Sequence, residues 1–147
     1  MTIYTIGFTQ KSAKQFFGLI KSHGVELLLD VRLNNRSQLA GFSKGTDLEY
    51  FLNEICKTKY IHCEEFAPTK ELLSNYQKKQ ISWEEYENLF NQILEKRGGY
   101  KRFLTRFADY NYVCLLCSEP TAEHCHRRLV AEKIKSTAPN DVEVVHL

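Results

Sequence analysis

No apolar run in the chain approaches the ~20 residues needed to cross a bilayer, so no membrane-spanning helix is expected. The opening MTIYTIGFTQ lacks a basic segment followed by an apolar stretch, and no secretory signal is expected. The five cysteines are odd in number and lack staple-like spacing, so reduced thiols fit better than a disulfide framework. The net charge is only +2, from 20 basic and 18 acidic residues, too small to argue nucleic-acid binding by itself. No basic stripe is interleaved with stacking aromatics, which fall mostly at helical core spacing. Repeats, low-complexity segments and linkers are missing. These absences leave a cytoplasmic chain without membrane contact as the expectation. What is present is 147 residues, 43% hydrophobic and 26% charged, which suits one soluble domain over residues 1–147.

Short β-rich runs alternate with helical patterns. IYTIGF (3–8), VELLLDV (25–31), KYIHC (59–63), YVCLLC (112–117) and VEVVHL (142–147) read as five strands. Between the first two, Ser12 and Gln15 form a capping box, and Gly24 sits where a left-handed C-terminal cap belongs. Thr46 and Glu49 look like a second box, opening a helix with Leu48, Phe51, Leu52 and Ile55 inside. TKELLSNYQKK (69–79) and SWEEYENLFNQILEK (82–96) predict two further helices, the latter opened by a box from Ser82 to Glu85. A shorter helix is predicted near 100–108 and another over about 122–136. The pattern predicts an α/β domain with a mainly parallel five-stranded sheet and helices on both faces, a three-layer Rossmann-like arrangement. Ligands in such sheets bind beyond the carboxyl ends of the strands. Gly7, Asp30 to Arg32, His62 and Cys117 to Glu119 all fall there.

CSEPTAEHCHRR (117–128) concentrates the chemistry. Zinc is suggested by composition but disfavoured by geometry. On a strand, Cys114 and Cys117 point to opposite faces, and on a helix His124 and Cys125 diverge by ~100°. No metal and no cofactor are therefore expected. With Thr121 as N-cap, Ala122, Cys125, His126, Leu129 and Val130 share the helix face that packs on the sheet. Arg127 then lies at the margin, and His124 and Arg128 point away. A thiol from Cys117, less favourably Cys125, would face unpaired amides at a helix start. Glu119 and His126 are candidates for proton transfer, and Arg32 and Arg127 for holding an anion. A C-x5-R phosphate loop, a Walker loop and a G-x-G-x-x-G are all absent.

Structural roles compete with these. Cys56, Cys63 and Cys114 read as small core hydrophobes. His126 also fits a hydrogen-bonded core histidine, and Arg32 a structural ion pair with Asp30 or Glu119. His62 and His146 favour structural roles, and Lys57, Lys59, Lys78 and Lys79 a solvated surface.

YTIGFT, LLDVRLNNRSQLAGF, APTKELLSNYQKKQISWEEYE, LLCSEPTAEHCHRRLVAE and VEVVHL occur in the order seen in the DUF488 family of small bacterial and archaeal proteins, which the whole chain resembles. The resemblance implies a compact α/β domain. It also implies a site drawn from Gly7, Asp30, Arg32, Cys117, Glu119, His124, Cys125, His126 and Arg127, but no reaction. Many members carry R-x-x-P-x-S after the D-V-R; here RLNNRSQLAG has no proline, and Arg36 stands in for the expected basic residue. The D-V-R at a strand end is also similar to rhodanese-like domains, a likeness of fold alone.

The functional expectation is a thiol-dependent hydrolase or transferase. Cys117, Glu119, Cys125 and His126 would be catalytic; Gly7, Asp30, Arg32, Arg36, His62, His124 and Arg127 would bind substrate. The ligand would be a small anion or nucleotide, with nucleic acid weakly supported. A non-catalytic nucleotide-binding module and a zinc-stabilised structural domain are the alternatives.

Overall fold

The computed structural model describes residues 1–36 and 41–147, so SQLA (37–40) of the RLNNRSQLAG stretch lies outside the described residues. Five strands form one parallel sheet: β1 (Thr2–Gly7), β2 (Leu27–Asp30), β3 (Lys59–His62), β4 (Tyr112–Cys117) and β5 (Glu143–His146), in the order β3-β2-β4-β1-β5. The helices are α1 (Ala13–Ser22), α2 (Gly45–Phe51), α3 (Lys70–Gln77), α4 (Trp83–Arg97), α5 (Phe103–Arg106) and α6 (His126–Thr137). The α/β class, the parallel sheet and its cover on both faces are as the alternating pattern predicts.

Strand alternation divides the core into two layers. On one face, Ile6, Leu28, Cys114 and Leu116 pack with Phe16, Phe17 and Ile20 of α1 and Leu48 of α2. On the other, Ile3, Leu27, Leu29, Val113 and Leu115 pack with Tyr86, Phe90 and Leu94 of α4 and Leu129, Val130 and Ile134 of α6. Each large apolar side chain buried this way contributes about 1.5–3 kcal/mol. Cys114 and Cys117 fall in opposite layers, as strand geometry requires.

The layers follow from the connections. β1 and β2 lead into α1 and α2 on the first face; β3 and β4 lead into α3 and α6 on the second. β4 lies between β1 and β2, so the chain leaves neighbouring strand ends in opposite directions. Crevices open at such switch points, and here one opens over the carboxyl end of β4, at Cys117.

The Ser12–Gln15 capping box forms in both directions, and Gly24 adopts φ +61°. Ser82 accepts from the Glu85 amide. The box expected at Thr46 does not form. α2 starts two residues earlier, with Lys44 rather than Thr46 as its cap, because the Gly45 amide donates to the Asn35 carbonyl at 2.8 Å. Gly45 sits under Asn35, whose Nδ2 would lie 2.6 Å from an added Cβ. Ile55, placed inside by the helical pattern, is exposed. The helix expected near 100–108 is a 3₁₀ turn (Gly99–Arg102) running into α5.

Gly7 ends β1 opposite Cys117 in register. A Cβ there would lie 1.7 Å from the Glu119 carbonyl oxygen and 3.2 Å from Arg127 Nη1. The obstacle is backbone, so a side chain at this position must displace the loop after β4. Gly7→Ala is expected to lower stability by about 3 kcal/mol, the upper part of the range for overpacking. Urea unfolding checks this, and a change within ~0.5 kcal/mol, the size of a neutral surface substitution, contradicts it.

Candidate functional site

The loop after β4 is longer than the sequence suggests. α6 begins at His126, not near Ala122, and its N-cap is Cys125 in extended conformation (φ −139°, ψ 136°). The cause is the anchoring of the loop on β1. Thr9 donates from both its backbone and its hydroxyl to the Ser118 carbonyl, and Arg127 Nη1 donates to the Glu119 carbonyl at 2.6 Å. Residues 118–124 then span the distance from the sheet to the helix. The premise that His124 and Cys125 diverge on a helix therefore does not hold.

The extended Cys125 turns its sulfur back toward β4. Cys117 Sγ, Cys125 Sγ and a His126 ring nitrogen all lie within 4.8 Å of one another, and all three residues are buried. His126 Nδ1 is 3.5 Å from Cys117 Sγ, and His126 Nε2 is 2.7 Å from the Val31 carbonyl. A carbonyl only accepts, so Nε2 carries the proton and Nδ1 is turned to the sulfur. The bland and the functional readings of His126 thus coincide, since the core hydrogen bond is what aims the ring.

The electrostatics single out Cys117. The Cys125 thiol donates to its sulfur and lowers its pKa. Burial opposes this, while the Ser118 and Glu119 amides and the Arg127 charge add to the lowering. Cys125 shifts the other way, raised by its bond to Cys117 and by burial. Burial also raises Cys114 and takes Cys63 to about 11.

Arg127 lies not at the helix margin but fully buried. Its guanidinium donates to the Glu119 carbonyl, to Cys125 Sγ at 3.3 Å and to Thr5 Oγ1 at 3.4 Å. None of these partners is a carboxylate. A buried cation with no carboxylate partner among the described residues favours negative charge nearby, and Arg127 is one of the causes that lower Cys117.

Above the cluster opens a cleft of about 780 Å³. Cys117, Cys125 and His126 line it with Arg32, Ser118, Glu119 and His124. Glu119 and His124 are exposed at its edge. Arg32 joins the cleft but is also the structural ion pair: Nε and Nη2 bond both Asp30 oxygens at 2.8 and 2.7 Å, and Nη2 reaches the Ser43 carbonyl. The Tyr60 hydroxyl adds a further bond to Asp30 at 2.7 Å. Of the other expected binding residues, Gly7, Asp30, His62, Arg36 and Arg127 do not line the cleft. His62 Nε2 bonds the Arg32 carbonyl at 2.8 Å, and Arg36 is exposed. His146 bonds Thr5 Oγ1 at 2.7 Å.

The opposite wall was not legible. It is built by the α3–α4 turn, with Tyr76, Lys79, Ile81, Trp83 and Tyr86. Trp83 stacks on Tyr86 and His124, with ring centres 5.1 and 5.0 Å apart. Trp83 and Tyr86 fit the apolar stripe of α4, which hides their second role.

Asp30→Asn leaves the buried Arg32 charge unpaired and is expected to cost about 3–5 kcal/mol. Urea unfolding tests it, and a loss below ~1 kcal/mol, the worth of an exposed pair, contradicts the assignment. Thiol-by-thiol alkylation followed by mass spectrometry is expected to give Cys117 a reactivity midpoint below the ordinary thiol value. A lowered pKa places the thiolate at lower pH, so Cys117 reacts first as pH rises, ahead of the half-buried Cys56, whose pKa is raised. A Cys117 that reacts only on unfolding contradicts this.

No helix of the described residues is long and apolar enough to cross a membrane. No curated protein and no solved structure matches the chain. The family described as "Domain of unknown function DUF488" matches residues 12–134. That span runs from the cap of α1 through the site loop to most of α6, and the chain belongs to the DUF488 family.

Proposed function

We propose that the chain is a thiol-dependent hydrolase or transferase acting on a small phosphate-bearing or nucleotide-related substrate. One observation carries the reading: the Cys117 sulfur lies 3.5 Å from a histidine nitrogen aimed by a backbone carbonyl, at the floor of a cleft. Nucleophile, base and orienting group in sequence are the arrangement covalent catalysis requires.

In this mechanism His126 Nδ1 takes the Cys117 proton, and the sulfur forms a bond to the electrophilic substrate atom. The bond to the leaving group breaks, and that group leaves with the proton from His126. Water, or an acceptor in a transferase, then attacks the intermediate, gives its proton to His126, and releases the thiol. The Val31 carbonyl stabilises the charged imidazole throughout. The Ser118 and Glu119 amides, which point at the sulfur, are placed to receive developing negative charge.

The anionic part of the substrate would meet Arg32, Lys79 and His124, the basic groups of the cleft. Arg32 Nη1 makes no hydrogen bond to a described residue, which leaves one edge of the guanidinium for a ligand. Arg127 acts as a positioning residue: it holds the loop and the Cys125 sulfur without entering the cleft. Glu119, at the rim, serves proton exchange with solvent. The apolar surface of Tyr76, Ile81 and Trp83 suits a flat ring beside the anion, in keeping with a nucleotide. The five free cysteines fit a reducing compartment, and the cytoplasm is the proposed location.

Thermal unfolding with added phosphate, sulfate and nucleoside phosphates tests the pocket. A ligand at 100 times its Kd stabilises by about 2.7 kcal/mol, and no shift with any of them contradicts the anion site. Cys117→Ser separates catalysis from binding. An enzyme retains ligand stabilisation in this variant and loses turnover of the substrate so identified by at least ~100-fold, the scale of a lost nucleophile or base. Turnover that survives the substitution contradicts the nucleophile; binding without turnover in the parent chain identifies a binding module.

A further inference from the structure

The geometry points to a second use of the floor cluster: Cys117, Cys125 and His126 hold a thiophilic divalent cation of the Zn²⁺ type, with its fourth coordination position open to the cleft. This goes beyond the proposed reaction and does not depend on it, since it requires donors and not turnover.

The distances fit. Zinc binds sulfur at about 2.3 Å and imidazole nitrogen at about 2.0–2.1 Å, so a tetrahedral ion separates the two donors by about 3.5 Å. Cys117 Sγ and His126 Nδ1 stand 3.5 Å apart. Two sulfurs on the same ion would be about 3.8 Å apart, inside the 4.8 Å that bounds the cluster. Side-chain rotations close the remainder.

The surroundings fit as well. A metal-bound histidine almost always donates its other ring N–H to a carbonyl or carboxylate, which fixes the tautomer and raises donor strength. His126 does this to Val31 at 2.7 Å, leaving Nδ1 as the lone-pair donor. Thiolate ligands are stabilised by N–H groups aimed at sulfur. Arg127 Nη1 meets Cys125 Sγ at 3.3 Å. Two sulfurs and one imidazole form a set that selects zinc over hard cations such as Mg²⁺ or Ca²⁺. Two thiolates also balance the charge of the ion.

Three protein donors and an open position mark a reactive site, whereas closed structural sites have four. The open side is the cleft, because all three residues line it. No fourth protein donor joins the cluster among the described residues: His124, next in sequence, stacks on Trp83. An ion here occupies the sulfur that the proposed reaction uses, so metal and covalent chemistry exclude one another.

Co²⁺ titration of the chelator-treated full chain tests this, since cobalt reports its ligands by colour. The expected result is one Co²⁺ per chain, with a thiolate-to-cobalt charge-transfer band and a tetrahedral visible spectrum. Zn²⁺ should displace it. Cys125→Ser and His126→Ala are expected to weaken binding at least tenfold, and Cys63→Ser to leave it unchanged. A spectrum without the thiolate band, or a Cys125→Ser variant whose Co²⁺ affinity and thiolate-band intensity both match the parent, overturns the site. Should these variants misfold, the parent chain still decides: Zn²⁺ is expected to protect Cys117 and Cys125 together from alkylation and to leave Cys56 reactive, and absence of protection overturns the site. The two readings fail separately. Lost metal binding with a reactive Cys117 in the metal-free chain removes only the metal site. Metal binding with an inert Cys117 in the metal-free chain removes only the thiol enzyme.

Discussion

The site depends on one close approach of backbone to backbone. Gly7 has no side chain, and the Glu119 carbonyl occupies the space where a Cβ would stand. That carbonyl is the acceptor for Arg127, whose same nitrogen bonds the Cys125 sulfur. The chain of contacts runs from a glycine at the end of β1, through a loop and a buried guanidinium, to the second thiol. Each link constrains the next. The loop lies low on the sheet, so α6 starts late; because it starts late, Cys125 is extended rather than helical and faces Cys117.

Topology decides why this happens at β4. A strand flanked by two neighbours whose connections leave on the other face has a crevice at its end, and its last residue forms the floor. Cys117 is that residue, and Val31, following β2, supplies the carbonyl that holds His126 from the other side. Asp30, Arg32 and Tyr60 tie the ends of β2 and β3 together and keep that carbonyl in place. Asp30 and Arg32 are therefore more a frame than a clamp. Of the two, Arg32 alone also lines the cleft.

Much of the fold could be read from local signals. Apolar strands and the Ser12 and Ser82 caps are properties of a few adjacent residues, and they appear where the sequence places them. The failures occur where a distant contact overrides a local one. Thr46 loses to a bond from Gly45 to Asn35, ten residues away, and the start of α6 is set by Gly7 and Thr9 across the sheet. The site divides in the same way. Cys117 and His126 were legible because a strand end and a packed helix face are local inferences. Arg127 was placed at a margin because the helix phase was counted from the wrong cap. Trp83 and Tyr86 were hidden, since a residue that both packs a core and lines a cleft obeys the same helical period as one that only packs.

The buried Arg127 gives the cluster its character. Guanidinium stays protonated in proteins, and this one has been taken out of water with no carboxylate among its hydrogen-bond partners in the described residues. Its charge must be met by carbonyl dipoles and by whatever anion the neighbouring atoms can supply. Sulfur is the group at hand that can become anionic near neutral pH. A thiolate at Cys117, the thiolates of a bound cation and an acceptor atom of a substrate answer the same demand. The cost of burying an unpaired cation and the lowered pKa of the Cys117 thiol are thus two sides of one electrostatic arrangement, in which the one fully buried arginine among the described residues stands two residues after a cysteine.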